Sequence, residues 1–258
     1  TVNPLITCRR CEYCVSGRDN LCANRTMIGM TRPGGFAELM SIPAASLIDI
    51  PQDMSVTQAA LTEPAATALH ALNVAARALS RPLAESRVLV LGGGAIGLLT
   101  ALLLKSYGCR DIDLAETNAL RRASAALTGA GNPFDPVATP ARGNAFDLVI
   151  DAVGGKATRH TALAAVKPGG VVVHIGLMDG ASEIDMRKLT LAEITLIGTY
   201  TYTTADLRAT VQALYRGAFG DLAWVEERAL KDGAAAFAAI DQGRAAAAKI
   251  VLRPARRG

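Results

Sequence analysis

Short apolar runs alternate with longer amphipathic stretches through the second half of the chain. The short runs predict buried β-strands at residues 88–91, 112–115, 146–151, 171–175 and 194–197. Helical patterns lie between them, at residues 98–104, 120–127 and 158–166. Strands that alternate with helices predict an α/β fold with a doubly wound parallel sheet, in which ligands bind at the carboxyl ends of the strands.

The first third of the chain follows a different pattern. Short apolar segments at 33–40 and 45–51 are interrupted by glycine and proline, which predicts two short strands in a small β-rich region. Helical patterns follow at 55–60 and 65–79, with Thr62-Glu63-Pro64 between them. A turn at Lys167-Pro168-Gly169-Gly170 is expected to precede the strand at 171–175.

A glycine motif joins the strand at 88–91 to the helix that follows it. Gly92, Gly94 and Gly97 have the spacing in which the first glycine permits a tight turn, the second admits a pyrophosphate, and the third allows close helix–strand packing. The N–H groups at the helix start, at Ala95 and Ile96, would face the phosphates. The motif therefore predicts dinucleotide binding; the alternative is an ordinary glycine-rich turn.

A second motif is a dense group of cysteines near the start. Cys8, Cys11, Cys14 and Cys22 are four of the five cysteines in the chain. Four thiolates in one small loop suit a tetrahedral structural zinc with no open position for catalysis. An iron–sulfur or rubredoxin-like iron site, or a set of buried thiols, remains as an alternative.

Composition narrows the range of functions. Half of the 258 residues are hydrophobic and the net charge of +4 is spread along the chain, so no nucleic-acid-binding patch is indicated; only Arg253, Arg256 and Arg257 cluster, in a tail. A zinc module that binds nucleic acid therefore stays an unfavoured alternative. No membrane span is evident, and the cysteine usage favours a cytoplasmic enzyme.

The combination of motifs carries a family resemblance. The cysteine quartet, Gly34-Gly35-Phe36-Ala37-Glu38, Thr62-Glu63-Pro64 and the glycine turn occur in the order found in zinc-dependent medium-chain dehydrogenases. Within them the chain resembles the polyol (sorbitol) and threonine dehydrogenase branch. The resemblance implies a partial GroES-like catalytic domain with a structural-zinc lobe at 1–63, a Rossmann NAD-binding domain at 64–200, and a return to the catalytic domain at 201–258.

The resemblance also implies a function. Members oxidise a secondary alcohol or polyol to a ketone by hydride transfer to NAD, and relatives form homodimers or homotetramers. The quartet would hold the structural zinc, and Glu63 would ligate a catalytic zinc or hold its water. The alternative for Glu63 is a cap of the helix that begins at Pro64. Thr67 matches a residue that packs against the nicotinamide, although a core-facing threonine is nearly as good an interpretation.

Further coenzyme contacts are implied after the later strands. A carboxylate at Glu116 would bind both adenosine ribose hydroxyls and repel a 2′-phosphate, which favours NAD over NADP. Arg121 matches a basic residue near the same ribose and leaves that choice open. The loops expected to flank the nicotinamide contain Val153, Gly154, Gly176 and Leu177.

Several residues depart from the family pattern. Arg9 replaces the glycine that usually follows the first structural cysteine, so we expect the loop to avoid a positive φ there. Asp113 lies in a strand where an apolar residue is normal, and the sequence offers no partner for it. His70 and His174 are interpreted as structural histidines, and Cys109 is assigned no role.

The largest departure concerns the catalytic half of the site. Relatives carry a cysteine, a Gly-His-Glu stretch and a proton-relay serine or threonine in an opening segment, and none of these precedes Cys8. Two hypotheses follow. Either the whole protein supplies that segment and is an enzyme, or the chain is a truncated NAD-binding remnant without catalysis.

Overall fold

The computed structural model describes residues 1–255, so Arg256 and Arg257 of the tail lie outside the described residues. The described chain divides into two compact units. One unit is Ala68–Thr199, and the other combines Thr1–Thr67 with the chain from Tyr200 onward. No helix among the described residues is long and apolar enough to cross a membrane.

The strands, in chain order, are β1 (Leu5–Ile6), β2 (Thr26–Met27), β3 (Arg87–Leu91), β4 (Asp111–Ala115), β5 (Asn132–Phe134), β6 (Phe146–Asp151), β7 (Val166–His174), β8 (Thr195–Gly198), β9 (Val225–Ala229) and β10 (Lys249–Arg253). The α-helices are α1 (Glu12–Val15), α2 (Val56–Ala60), α3 (Thr62–Ala78), α4 (Ala95–Ser106), α5 (Ala119–Thr128), α6 (Lys156–Ala165), α7 (Met186–Leu191), α8 (Thr204–Tyr215) and α9 (Gly233–Asp241). Single 3₁₀ turns occupy Asp19–Leu21, Ala44–Ser46, Leu83–Glu85 and Leu230–Asp232.

The unit Ala68–Thr199 is built on a six-stranded parallel sheet with the order β5-β4-β3-β6-β7-β8. The chain runs outward from β3 to β5 and then returns to the other side of β3 at β6. With right-handed crossovers, this reversal places α4 and α5 on one face of the sheet and α6 and α7 on the other. The predicted doubly wound Rossmann fold is confirmed, and its switch point lies between β3 and β6.

Burial explains why these segments form strands and helices. The apolar residues of β3 and β6 are almost fully buried, as expected for central strands covered on both faces. Helix α4 is buried all along from Gly97 to Leu104, which accounts for its apolar composition on every side. Helix α5 begins with Asn118 as its N-cap and ends at Gly129 in the left-handed conformation.

The register brings the ends of four strands level. Leu91 at the end of β3 pairs with Ala115 of β4 on one side and Asp151 of β6 on the other. Asp151 in turn pairs with His174 at the end of β7. The loops that leave these four strands therefore start at one edge of the sheet, where the predicted coenzyme contacts lie.

The second unit has less regular structure. β1 pairs with β2 in an antiparallel ribbon, and β9 pairs with β10 in a parallel one. Helix α2 begins at Ser55 through a capping box with Gln58, which confirms the predicted helix start. Helix α3 begins at Thr62 and carries Pro64 in its first turn, where the missing proline N–H costs no hydrogen bond.

The two strands predicted at 33–40 and 45–51 are wrong. Residues 33–40 contain no strand, and Ala44–Ser46 forms a 3₁₀ turn. Phe36 and Leu39 are 71% and 70% exposed, so the apolar residues that suggested a strand have no sheet to cover. A strand needs a neighbour to satisfy its backbone groups. The described residues provide none for 33–40, and beside 45–51 they provide only an isolated antiparallel bridge between Val2 and Leu47.

The predicted turn before β7 is also corrected. Val166 already pairs with Phe146, and the register then shifts so that Val171 pairs with Leu148. The intervening Lys167-Pro168-Gly169-Gly170 segment is therefore an irregular bulge within β7 rather than a turn in front of it.

Candidate functional site

Four cysteines of the first loop bring their sulfur atoms together. The Sγ atoms of Cys8 and Cys14 lie 3.9 Å apart, those of Cys11 and Cys14 lie 3.5 Å apart, and all four sulfurs, including that of Cys22, lie within 4.8 Å of one another. A tetrahedral zinc with Zn–S bonds of about 2.3 Å requires sulfur atoms about 3.8 Å apart. The quartet therefore fits a zinc with four protein ligands and no open position.

The surroundings of the cluster shift the pKa values of two of its cysteines in opposite directions. The backbone N–H groups of Arg10 and Cys11 lower the pKa of Cys8 to about 6, whereas burial and the hydrogen bond with Cys11 raise the pKa of Cys14 to about 11. The backbone N–H of Cys8 also donates to Cys22 Sγ over 3.5 Å. Since ligating thiols must lose their protons, metal binding to this loop releases protons and strengthens as the pH rises.

The prediction for Arg9 is wrong. Its φ is +61°, so the loop keeps the left-handed turn for which glycine is better suited. Its guanidinium NH2 donates to the carbonyl of Ala45 over 3.0 Å, which partly compensates. The loop has to reverse between Cys8 and Cys11 to bring their sulfurs together, and this requirement overrides the preference of an arginine.

The glycine motif forms the predicted strand–turn–helix. Gly92 adopts a φ of +99°, and a Cβ on Gly97 would lie 1.8 Å from the carbonyl oxygen of Gly92. A Cβ on Gly94 would face open space instead. The first N–H groups of α4, at Ala95 and Ile96, precede the first intrahelical bond and remain for a ligand.

A cleft of about 540 Å³ lies beside this turn. Its lining includes Gly92, Gly94, Glu116, Arg121 and Val153. All of these belong to the unit Ala68–Thr199, and five of the predicted coenzyme residues are thus brought together in one cavity. A volume of this order and a mostly apolar wall are typical of small-molecule sites.

Glu116 is held as a carboxylate in the wall of the cleft. It is 5% exposed; its Oε2 accepts from the Gly93 N–H over 2.9 Å, and its Oε1 accepts from the Asn118 N–H over 2.7 Å. The guanidinium of Arg121 donates to Oε1 over 2.9 Å. Burial alone would raise the pKa of Glu116, but these donors, with Arg121 first, lower it below its usual value.

The predicted nicotinamide-flanking residues have different positions. Val153 lines the cleft. Gly154 and Gly176 pack against each other and are not part of the cleft lining. Leu177 is 85% exposed, and Met178 reaches the cleft lining in its stead.

Glu63 lies in the first turn of α3, in the other unit. Its Oε1 accepts a hydrogen bond from the hydroxyl of Tyr202 over 3.1 Å, and Tyr202 is 1% exposed. Burial, followed by the negative charge of Glu63, raises the pKa of Tyr202, so this hydroxyl stays a donor. Thr67 lies one turn further along α3 and is half-buried; its contact with the nicotinamide stays a prediction.

The sequence did not reveal the residues that hold these groups. Tyr202 follows Glu63 by 139 positions, so no local pattern connects them. Gly93 binds Glu116 through its backbone N–H, which every residue type except proline also has. Arg122, whose NH1 donates to the carbonyls of Glu116 and Thr117, would have been visible only as a second arginine beside Arg121.

The remaining anomalies have structural explanations. Asp113 faces the guanidinium groups of Arg87 at 3.6 Å and Arg142 at 3.4 Å, which compensates its charge in the strand. Cys109 is buried and donates its S–H to the carbonyl of Ser86. His174 Nδ1 lies 3.1 Å from the carboxylate of Asp151.

Comparison with known proteins identifies the family. A family model described as "Alcohol dehydrogenase GroES-like domain" matches residues 1–52, and one described as "Zinc-binding dehydrogenase" matches residues 95–216. The chain belongs to the zinc-dependent medium-chain dehydrogenases. The predicted family, the Rossmann sheet and the GroES-like relationship of the first segment are thereby confirmed.

Two curated relatives and one solved structure illustrate the similarity. The chain is 30% identical over 203 residues to L-threonine 3-dehydrogenase of Shewanella baltica (strain OS185), which covers 76% of this chain and 58% of that protein. It is 32% identical over 214 residues to L-galactonate-5-dehydrogenase of Escherichia coli (strain K12), covering 80% and 61%. A zinc-binding dehydrogenase target from Sinorhizobium meliloti 1021, bound to NADP, is 29% identical with a TM-score of 0.83, covering 99% and 76%.

The chain spans about three fifths of the length of these curated relatives. Within the described residues, the cysteine quartet is the one group of three or more potential metal ligands. Glu63 alone does not form a second metal site, and we assign no chemical step to a metal at that position.

Proposed function

We propose that the protein is a zinc-containing, NAD-linked dehydrogenase that oxidises a secondary alcohol or polyol to the ketone by hydride transfer. The single observation that carries the proposal is the cleft at the switch point, where Gly92 of the glycine turn, Gly94 at the N-cap of α4 and the charged Glu116 line one cavity. The names of the two curated relatives support the substrate class, since threonine at its third carbon and galactonate at its fifth carry secondary hydroxyls.

The residues of the chain divide the work of coenzyme binding. The N–H groups of Ala95 and Ile96 and the positive end of the α4 dipole bind the pyrophosphate. Glu116 accepts hydrogen bonds from the adenosine ribose, and Val153, which also lines the cleft, packs against the coenzyme. The bound coenzyme supplies the hydride acceptor, and the protein orients the substrate carbon toward it.

We infer NAD as the preferred coenzyme from Glu116. Its lowered pKa keeps a negative charge where NADP would place its 2′-phosphate. Arg121 is already paired with Glu116, so it does not present a free cation to that phosphate. The relative from Sinorhizobium meliloti was solved with NADP, which makes the comparison of both coenzymes essential.

Zinc has two places in this proposal. The quartet Cys8, Cys11, Cys14 and Cys22 holds one structural ion, which cross-links the loop. Glu63, kept in position by Tyr202, is the residue through which the chain would contribute to a catalytic ion in the whole protein. A homodimer or homotetramer in the cytoplasm completes the proposal; the thiolate quartet supports a reducing compartment.

The experiment combines zinc counting with coenzyme titration. We expect the zinc-loaded protein to bind NADH and to reduce NAD with at least one secondary alcohol from a panel that includes L-threonine, L-galactonate and sorbitol. Two zinc ions per chain support the whole-enzyme form, whereas one ion with NADH binding and no turnover supports the truncated remnant. A protein that binds neither NADH nor NADPH contradicts both.

A further inference from the structure

Asp151, the last residue of β6, is wholly buried, and its oxygens have hydrogen-bond partners in the loop after β6, in β7 and in the loop after β7. Its side chain is 0% exposed. Its Oδ1 accepts from the N–H of Val153 over 3.1 Å and from the N–H of Gly154 over 2.8 Å. A buried charge is retained only where donors replace the lost water, and these two N–H groups form such a set for the loop after β6.

The backbone carbonyl of the same residue holds the next loop. It accepts from the N–H of Ile175 over 2.9 Å and from the N–H of Gly176 over 3.0 Å. The two loops touch so closely that a Cβ on Gly154 would lie 2.0 Å from the carbonyl oxygen of Gly176. Asp151 therefore fastens both loops to each other at the edge of the sheet.

His174 holds the remaining oxygen of this carboxylate. It is the last residue of β7, pairs directly with Asp151 in the register, and its Nδ1 lies 3.1 Å from Oδ2. The carboxylate favours the proton on Nδ1, so the imidazole acts as a donor and fixes the side of Asp151 that faces β7. The pair thus combines a strand-to-strand link with the two loop contacts.

The two loops that Asp151 fastens lie beside the candidate coenzyme cleft. Val153 and Met178, one from each loop, line the cleft that also contains Glu116. A dinucleotide bound across the switch point places its adenosine half near β4, where Glu116 lies, and its other half beside β6 and β7. The nicotinamide half therefore falls next to the loops that Asp151 fastens.

We propose that Asp151 and His174 are positioning residues for the nicotinamide half of the coenzyme. Neither residue needs to touch the coenzyme: Asp151 sets the spacing of the two loops, and His174 holds its carboxylate in the orientation that does so. This inference rests on the proposed coenzyme function.

The test compares binding of the whole coenzyme with binding of a ligand that lacks the nicotinamide. NADH carries both halves, whereas ADP-ribose carries the adenosine half and the pyrophosphate without the nicotinamide. Dissociation constants for both are measured by titration on wild type, Asp151→Ala, His174→Leu and His174→Asn. Asparagine keeps a donor near the place of Nδ1, so His174→Asn serves as the conservative rescue. Asp185→Ala removes a carboxylate that caps the Lys188 N–H where the loop after β7 meets α7, outside the cleft lining, and serves as the matched control.

We expect Asp151→Ala to weaken NADH binding by about tenfold, because two buried N–H groups lose their acceptor, while ADP-ribose binding changes by less than about twofold. His174→Leu should weaken NADH binding by about threefold, and His174→Asn should restore it to within about twofold of wild type. Asp185→Ala should leave both constants unchanged. A merely structural role would lower both affinities together, or the melting temperature alone.

The outcomes are distinguishable. If NADH and ADP-ribose affinities fall in parallel, or if neither variant changes their ratio, the positioning role is refuted while the coenzyme function stands. If Asp151→Ala does not fold, the contrast between His174→Leu and His174→Asn, with retained ADP-ribose binding as the control for folding of this unit, decides the question. If the wild-type protein binds neither ligand, the proposed function fails and this inference fails with it.

Discussion

Replacing Glu116 by glutamine tests whether the negative charge of this carboxylate sets the preference for NAD over NADP. The amide has nearly the shape of the carboxylate but no charge. Its one oxygen can accept from either the Gly93 N–H or the Asn118 N–H, which lie 2.9 and 2.7 Å from the two carboxylate oxygens, but not from both. Because donors lower the pKa of Glu116, the wild-type group is charged at neutral pH, so the substitution changes the charge facing the ribose. We expect weaker NADH binding and stronger NADPH binding.

The magnitudes follow from the hydrogen bonds at the site. A hydrogen bond to a charged group contributes about 1.5–3 kcal/mol and a neutral one about 0.5–1.5 kcal/mol, so NADH should lose about 1 kcal/mol, or about fivefold in affinity. Relief of the repulsion between the carboxylate and a 2′-phosphate should strengthen NADPH binding by about tenfold. The ratio of the two dissociation constants should therefore change by about fiftyfold.

The assay is a fluorescence titration of both reduced coenzymes on wild type and Glu116→Gln. Glu85→Gln, which removes an exposed carboxylate from the same unit, is the matched control and should leave both constants unchanged. An unchanged ratio of NADH to NADPH affinity in Glu116→Gln would refute the assigned role of this carboxylate. A parallel loss of both affinities would show instead that the substitution distorts the cleft.

Three further predictions concern the metal loop and the sheet. Arg9→Gly should raise the free energy of unfolding by about 1 kcal/mol, measured by urea titration of the zinc-loaded protein, because glycine removes the cost of the left-handed φ at this position. Cys22→Ser should reduce the zinc content of the quartet from one ion to almost none, measured by elemental analysis, whereas Cys109→Ser, which keeps a donor to the Ser86 carbonyl, should retain it. Burial raises the pKa of Asp147, but the hydrogen bond from the Arg87 N–H and the charge of Lys167 outweigh it, so the pKa is lowered. The contribution of this carboxylate to the free energy of unfolding is complete above its pKa in the unfolded chain and is lost as the pH falls through its pKa in the folded protein. Thermal unfolding of Asp147→Asn should therefore show a lower midpoint at neutral pH and a smaller further loss between about pH 5 and pH 2 than wild type.

The coenzyme half of the site could be predicted because its signals are local. The Gly92–Gly97 turn combines an apolar strand, a glycine spacing and an apolar helix within a few residues, and Glu116 follows from the end of the next strand. The cysteine quartet is local in the same sense. In each case the chain neighbours impose the geometry, so sequence spacing translates directly into distance.

The errors arise where distant parts of the chain decide the structure. Residues 33–40 have the composition of a strand, but a strand forms only beside a partner, and the described residues place none there. Asp113 looked unpaired because Arg87 and Arg142 approach it from other elements. Arg9 takes a glycine conformation because the positions of four sulfur atoms fix the loop, a constraint that residue preference does not express.

Asp151 and Glu116 show a third kind of sequence signal, in which a local pattern indicates a contact made at the edge of the sheet. Each acidic residue stands where a parallel strand ends, and each accepts a backbone N–H from a loop at that edge, Asp151 from the loop that follows it and Glu116 from the glycine turn after β3. At the carboxyl edge of a parallel sheet, the loops leave their N–H groups without strand partners, so a carboxylate there gains donors that it would lack in mid-strand. An acidic residue at the end of a buried strand therefore indicates a loop clamp as well as a ligand contact. For Glu116 the contact with the ribose and the clamp on Gly93 use the same carboxylate, whereas Asp151, fully buried, is left with the clamp alone.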